Sequence, residues 1–344
     1  MKEQYGSGNA VIDFFKRNGG ILIALGVIIL VWSVSPSTSR AFLQTKNILN
    51  VLRQISTNVL LACGMTMVII LAGIDLSVGA VIALSGCISA GCVLFYDLPV
   101  AVAMLAGMTV GIVFGAFNGV LVCKTTIPPF IITLATMNIA RGLSKVYTGG
   151  KPLSIASDEW KIIGAGYTAG IPNPVWIMLA VLIVSFVLLN KTKFGRHLYA
   201  VGGNINAARF SGINVEKIQF IVYTFSGLLA GIAGIITASR MYTGSPNAGE
   251  SAEMDAIAAV VVGGTSMSGG TGTIGGTFIG CLIIGFLNNG LNLMNVDSFW
   301  QYVIKGVVIL LAVLTDFLRS KRQIRLKTEK PKNNSDPTQL NGNF

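Results

Sequence analysis

Long apolar runs, broken by short polar or Pro/Gly stretches, follow one another along almost the whole chain. They lie near 20 to 35, 48 to 72, 76 to 95, 99 to 123, 127 to 147, 174 to 190, 218 to 240, 254 to 267, 273 to 294 and 299 to 318. A helix needs about 20 apolar residues to cross the hydrocarbon core of a bilayer. The pattern therefore predicts an all-α membrane protein, a polytopic bundle of about ten transmembrane helices. The fifth run carries Pro128, Pro129, Arg141 and Lys145, and the eighth is short. The first run follows Lys16 and Arg17 as a signal peptide would, but no small-x-small cleavage site follows and further spans do, so it reads as an uncleaved helix. This divides the chain into an inner segment 1–19, a membrane region 20–318 with an inner loop at 191–217, and a polar tail 319–344 expected to be disordered.

Composition agrees. Of the 344 residues, 52% are hydrophobic and only 11% charged, where a soluble domain has about 25% charged residues. The net charge of +11 would suit nucleic acid, but its placement points to membrane topology instead. With both termini inside, Lys2, Lys16, Arg17, Lys124, the five basic residues from Lys191 to Lys217 and the tail all fall on the inner face, as the positive-inside rule requires. Asp97, Asp158, Glu159, Glu250, Glu253 and Asp297 fall outside. The orientation expected is N-in, C-in.

Several chemistries are poorly supported. The five cysteines include no C-x-x-C pair and lie in or beside apolar runs, and the single histidine, His197, lies in a basic loop. No metal site is expected. Gly270, Gly272 and Gly275 spell G-x-G-x-x-G, with Asp297 downstream. A dinucleotide loop must open a helix in a soluble βαβ unit, whereas here a membrane span follows. A tight glycine-rich inner turn is the better reading. Elsewhere glycine recurs every fourth residue, at 107, 111, 115 and 119, and again at 227 and 231 and at 272, 276 and 280. Such stripes let lipid-embedded helices approach closely.

The inner segment 190–220 combines a basic entry, a Gly202-Gly203-Asn204 turn, and a short helix-like run from Ile205 to Phe210 that Asn204 can cap and Gly212 can stop. It reads either as a docking element for a partner or as a solvated basic loop.

At this point a resemblance is legible. GMTMVIILAGIDLSVGAVIALSG (64–86), PPFIITLATMNIARGLSKVYTGG (128–150), GRHLYAVGGNINAARFSGINV (195–215) and EMDAIAAVVVGGTSMSGGTGTIGGTFIGCLIIGFLNNGLNLM (253–294) are similar to the membrane-spanning permease subunits of ribose-type ABC importers. That family also serves other monosaccharides, autoinducer-2 and, in relatives, nucleosides. The resemblance implies a bacterial cytoplasmic membrane protein that is not itself an enzyme and binds no cofactor. ATP and Mg would be bound by a partner ATPase subunit, and no G-x-x-x-x-G-K-[ST] occurs here. It also implies an extracytoplasmic sugar-binding protein and a second permease chain, a homodimer, in membrane lipid; no nucleic acid is implied.

The resemblance makes the inner loop the ATPase-coupling segment, with Gly195, Arg196, Gly202, Gly203, Asn204, Ala207, Ala208, Arg209 and Gly212 as its residues. The family's E-A-A-x-x-x-G pattern is met at Ala207, Ala208 and Gly212, while Asn206 replaces the acid. A sugar path should offer uncharged hydrogen-bonding groups, for which Asn118, Asn138, Asn288, Asn289 and Asn292 are candidates; each could equally be glue between helices. Glu250, Glu253 and Asp255 form an acidic outer rim suited to basic residues of a binding protein. Asp75 lies at an inner turn, where it can cap the next helix, and Arg141 and Lys145 should be paired or face water. A secondary transporter or channel for a small polar solute is the competing reading.

Overall fold

The computed structural model describes residues 10–36 and 38–328, with side chains over 19–36, 38–311 and 313–314. Among the described residues six helices are long and apolar enough to cross a membrane: α3 (Thr45–Ile70), α4 (Val78–Tyr96), α5 (Val100–Lys124), α8 (Asn173–Lys191), α11 (Val215–Met241) and α13 (Ile274–Leu293). The other four apolar runs also fall on helices, but each lies below that measure. In α1 (Ala10–Val34) and α14 (Ser298–Thr328) the apolar stretches whose side chains are described, Gly19–Val34 and Ser298–Leu311, are shorter than 18 residues. The helix α6 (Pro129–Thr148) carries Arg141 and Lys145, and α12 (Ala252–Val262) has 11 residues.

Short elements fill the connections: α2 (Ser39–Phe42), α7 (Asp158–Ala165), α9 (Lys193–Gly203) and α10 (Ile205–Phe210). The strands among the described residues form two antiparallel ladders of two residues each, β1 (Leu153–Ser154) with β4 (Thr243–Gly244), and β2 (Tyr167–Thr168) with β3 (Ile171–Pro172). Part of the expected disordered tail is helical, since α14 runs on through RSKRQIRLKT to Thr328, a stretch rich in good helix formers. Residues 1–9 of the expected inner segment and 329–344 of the tail lie outside the described residues.

The centre of the bundle is α3, of which 78% of the apolar window is buried, against 22% for α5 at the periphery. Leu60, Leu61, Met65, Met67 and Ile69 of α3 anchor the main hydrophobic cluster. Helices α11, α13, α8 and α12 pack against α3, and α4 packs on α11, α5 and α6. The glycine stripe of α5 meets α11 backbone to backbone: a Cβ at Gly111 would overlap the Gly227 carbonyl, and one at Gly227 the Gly111 carbonyl. In the third series, Gly276 and Gly280 seat α13 on α12, while Gly272 belongs to the preceding loop.

Helix starts are fixed by side chains the sequence supplies at those positions. Thr192, Asn204, Asn214 and Thr273 accept from the backbone N–H groups of Gly195, Ala207, Lys217 and Gly276, opening α9, α10, α11 and α13. One end of the bundle thus gathers the finish of α3, α5, α8 and α12, the start of α4, α6, α11 and α13, and the α9–α10 segment. The β1–β4 ladder lies at the opposite end, beyond the last turn of α11.

Candidate functional site

Toward the end away from α9 and α10, α3, α4, α11, α12 and α13 enclose a cavity of about 210 Å³. Its polar wall comes from one face of α3, where Gln54, Thr57 and Asn58 recur at helical spacing, and from Thr237 and Arg240 of α11 and Asn288 of α13. Asn58 Oδ1, Asn288 Oδ1 and Arg240 Nη1 are buried with no partner among the described residues. Buried polar atoms are nearly always hydrogen-bonded, so three orphans around one cavity mark where a guest with hydroxyl groups can bond. Asp255, also in the wall, is neutralised by Lys305 of α14 at 2.9 Å, which leaves the cavity without an unpaired acid. Near its mouth, Arg53 stacks on Tyr167 with the guanidinium carbon 4.7 Å from the ring centre.

Of the five asparagines expected along a path, only Asn288 lines this cavity. Asn118 is fully buried, donating to Ser77 Oγ at 2.9 Å and accepting from Thr136 Oγ1 at 2.8 Å. Asn289 exchanges two hydrogen bonds of 2.9 Å with Asn47. Asn292 accepts from Gln301 at 2.8 Å, and Asn138 is exposed and donates to its own helix at Leu134. These four hold helices or face outward. Gln54, Thr57, Asn58 and Arg240 were not singled out by the sequence, although Gln54-x-x-Thr57-Asn58 inside an apolar run carries the helical spacing that reveals them.

The acidic trio does not form a single rim. Glu250 is exposed, Glu253 is half-buried with its carboxylate against Gly79, and Asp255 is committed to Lys305. Glu250 and Glu253 instead line a second crevice of about 330 Å³ with Asn138, Arg141 and Lys145. Arg141 is satisfied there by the carbonyls of Pro246 and Ala248, at 2.9 and 2.7 Å.

At the other end, α9 continues as helix through Gly202 and Gly203, where the sequence suggests a turn; the chain breaks only at Asn204. The helix survives two glycines because its inward face is anchored by Leu198 and Val201 and by Tyr199, which donates to the Gly272 carbonyl at 2.8 Å. Gly195 lies on the Leu189 carbonyl at the end of α8, and Gly202 on the Ile70 carbonyl at the end of α3. Arg196, Gly203 and Arg209 are exposed. Asn204 caps α10 by accepting from Ala207 N–H at 2.9 Å. Gly212, at φ +78°, ends it, with Gly212 N–H bonded to Arg209 and Ile213 N–H to Ala208.

The two alanines of α10 point opposite ways. Ala208 is buried against Val201, Val215, Leu71 and Ile213, so it serves the chain's own packing, whereas Ala207 is exposed. Phe210, absent from the sequence candidates, is 93% exposed on the same short helix. Nothing among the described residues covers this ring, which stands beside the exposed Ala207.

Membrane-length helices around a polar cavity, with a capped amphipathic segment at one end, are the build of a solute permease. A family model described as branched-chain amino acid transport system / permease component matches residues 47–313, and the chain belongs to that family. Within it the chain is of the ribose-type ABC permease kind. It is 51% identical to ribose import permease protein RbsC of Bacillus subtilis (strain 168), over 86% of this chain and 92% of that one. It is also 47% identical to RbsC of Haemophilus influenzae, over 92% and 98% respectively. The xylose transport system permease protein XylH of Haemophilus influenzae is 38% identical over 88% of this chain and 96% of its own length.

Proposed function

We propose that the chain is the permease subunit of an importer that carries a monosaccharide, ribose, across the bacterial cytoplasmic membrane. Import is driven by ATP and Mg bound to a partner ATPase. The observation that carries this reading is the cavity, walled mainly by amide and hydroxyl side chains, with orphan groups on Asn58, Asn288 and the guanidinium of Arg240. A pentose presents hydroxyls on every face and can both donate to the two amide oxygens and accept from the guanidinium. The names of the RbsC relatives supply the choice of ribose.

In this reading all ten apolar helices lie across or within the bilayer, with N and C termini inside and the membrane region spanning 20–318. The α9–α10 segment docks on the ATPase through Ala207 and Phe210, and the opposite end receives an extracytoplasmic sugar-binding protein. A second copy of the chain completes the path. Each partner drives alternation by binding the two conformations unequally.

The test is reconstitution of the chain with its ATPase and binding protein in proteoliposomes, followed by uptake of labelled ribose in competition with xylose. ATP-dependent ribose uptake resisted by excess xylose is expected; uptake without ATP, driven by an ion gradient, would sink the reading. Phe210→Ala should release the ATPase during purification without loss of folded permease, because so exposed a side chain contributes little to the fold. Retention of the ATPase at the level of the unaltered chain would contradict docking through α10.

A further inference from the structure

The link from Leu71 to Ser77 joins α3 to α4, and both helices wall the cavity, through Gln54, Thr57 and Asn58 on one and Ile82 on the other. On its α3 side the link rests on the α9–α10 segment. The Ile70 carbonyl accepts from Gly270 N–H at 2.9 Å and lies against Gly202, while Leu71 packs with Val201, Ala208 and Val215. A displacement of α10 can therefore reach Leu71 through Ala208, Val201 and Val215.

On its α4 side the link carries Asp75, 1% exposed and in no ion pair among the described residues. Its two oxygens serve different neighbours. Oδ1 accepts from Ser77 N–H at 3.0 Å and from Ser77 Oγ at 2.6 Å, closing the link on itself. Oδ2 accepts from Ser226 Oγ of α11 at 2.9 Å. Ser77 Oγ in turn accepts from Asn118 of α5, and Asn118 from Thr136 of α6, so each donor in the row points toward the carboxylate. Thr133 Oγ1 adds a bond of 3.1 Å to the Ile74 carbonyl. A buried carboxylate is costly unless fully hydrogen-bonded. An amide in its place carries no charge and has one acceptor oxygen, so it could hold both the turn and α11 only by turning its NH2 on Ser226 Oγ and reversing that bond.

We propose that Asp75 is a positioning residue for transport: it ties the α3–α4 link to α5, α6 and α11, so that movement of the α9–α10 segment reaches the cavity walls. This rests on the reading of the chain as an ATP-driven permease. Asp75 touches neither the cavity nor the exposed face of α10, so its loss should separate hydrolysis from transport.

The experiment measures ribose taken up per ATP hydrolysed by the reconstituted importer carrying Asp75→Asn or Ser226→Ala, with the unaltered complex alongside. ATP hydrolysis is expected to stay within about twofold and the KM for uptake to stay unchanged, while uptake per ATP falls about tenfold in Asp75→Asn, the worth of a hydrogen bond to a charged group. Ser226→Ala, which severs only the tie to α11, should show the same split to a smaller degree. Uptake per ATP equal to that of the unaltered complex in either assembled variant would overturn the proposal, as would hydrolysis and uptake falling in proportion. Should Asp75→Asn fail to assemble, Ser226→Ala decides, since it removes one oxygen atom. Absence of ATP-dependent uptake in the unaltered complex would instead defeat the importer reading itself, and the role of Asp75 with it.

Discussion

Asn58 and Asn288 face one cavity from α3 and α13, each with a side-chain oxygen that no group among the described residues satisfies. If these oxygens bond sugar hydroxyls, Asn58→Ala and Asn288→Ala should each raise the KM for uptake about threefold to tenfold, the range of a single net hydrogen bond. Initial rates over a range of ribose concentrations measure this, and Asn292→Ala, exposed and paired to Gln301, should leave KM unchanged. The same residues show the limit of the sequence. An intramembrane asparagine is legible as polar and inward, but whether it meets a ligand or another side chain depends on what the facing helix brings to the same depth. Asn289 finds Asn47, 242 positions away, while its neighbour Asn288, about 100° further around the helix, finds the cavity. The burial of Ala208 is illegible for a related reason: in a helix of six residues, apolar side chains on both sides give no stripe from which to read the buried face.

At the scale of elements, the apolar runs located every long helix, and the capping residues fixed α10 from Ile205 to Phe210 as expected. The runs could not tell a membrane-length helix from a short one such as α12, with 11 residues. Helix α14, the least apolar of the ten, is tied to the short α12 by a pairing between elements distant in sequence. It is the ion pair from Lys305 of α14 to Asp255 of α12, with side chains 21% and 25% exposed. Lys305→Met leaves a carboxylate unpaired and should lower stability by about 1–3 kcal/mol, between the values for surface and buried pairs. Lys305→Met combined with Asp255→Asn should recover most of that loss. Thermal unfolding of the single and double variants in detergent measures both, and an additive loss would show that the pair contributes nothing as a pair.

For the molecule as a whole, the α9–α10 end and the β1–β4 end are chemically unlike, and the proposed orientation makes the first cytoplasmic. Single cysteines introduced at Arg196 and at Ser154 into a chain freed of its five native cysteines should react with an impermeant reagent from opposite sides of the membrane. Labelling of both from one side would overturn N-in, C-in. The contact between α5 and α11 reaches further, into the range of sequences this fold can occupy. Where the Gly111 and Gly227 backbones touch, every other residue is excluded by its first side-chain carbon, whatever its polarity. On the far side of α5, Leu105, Val113 and Val120 are exposed and can exchange freely with other apolar residues. Tolerance to substitution along this helix should therefore rise and fall with a four-residue beat, so that descent with change is confined to one half of its circumference.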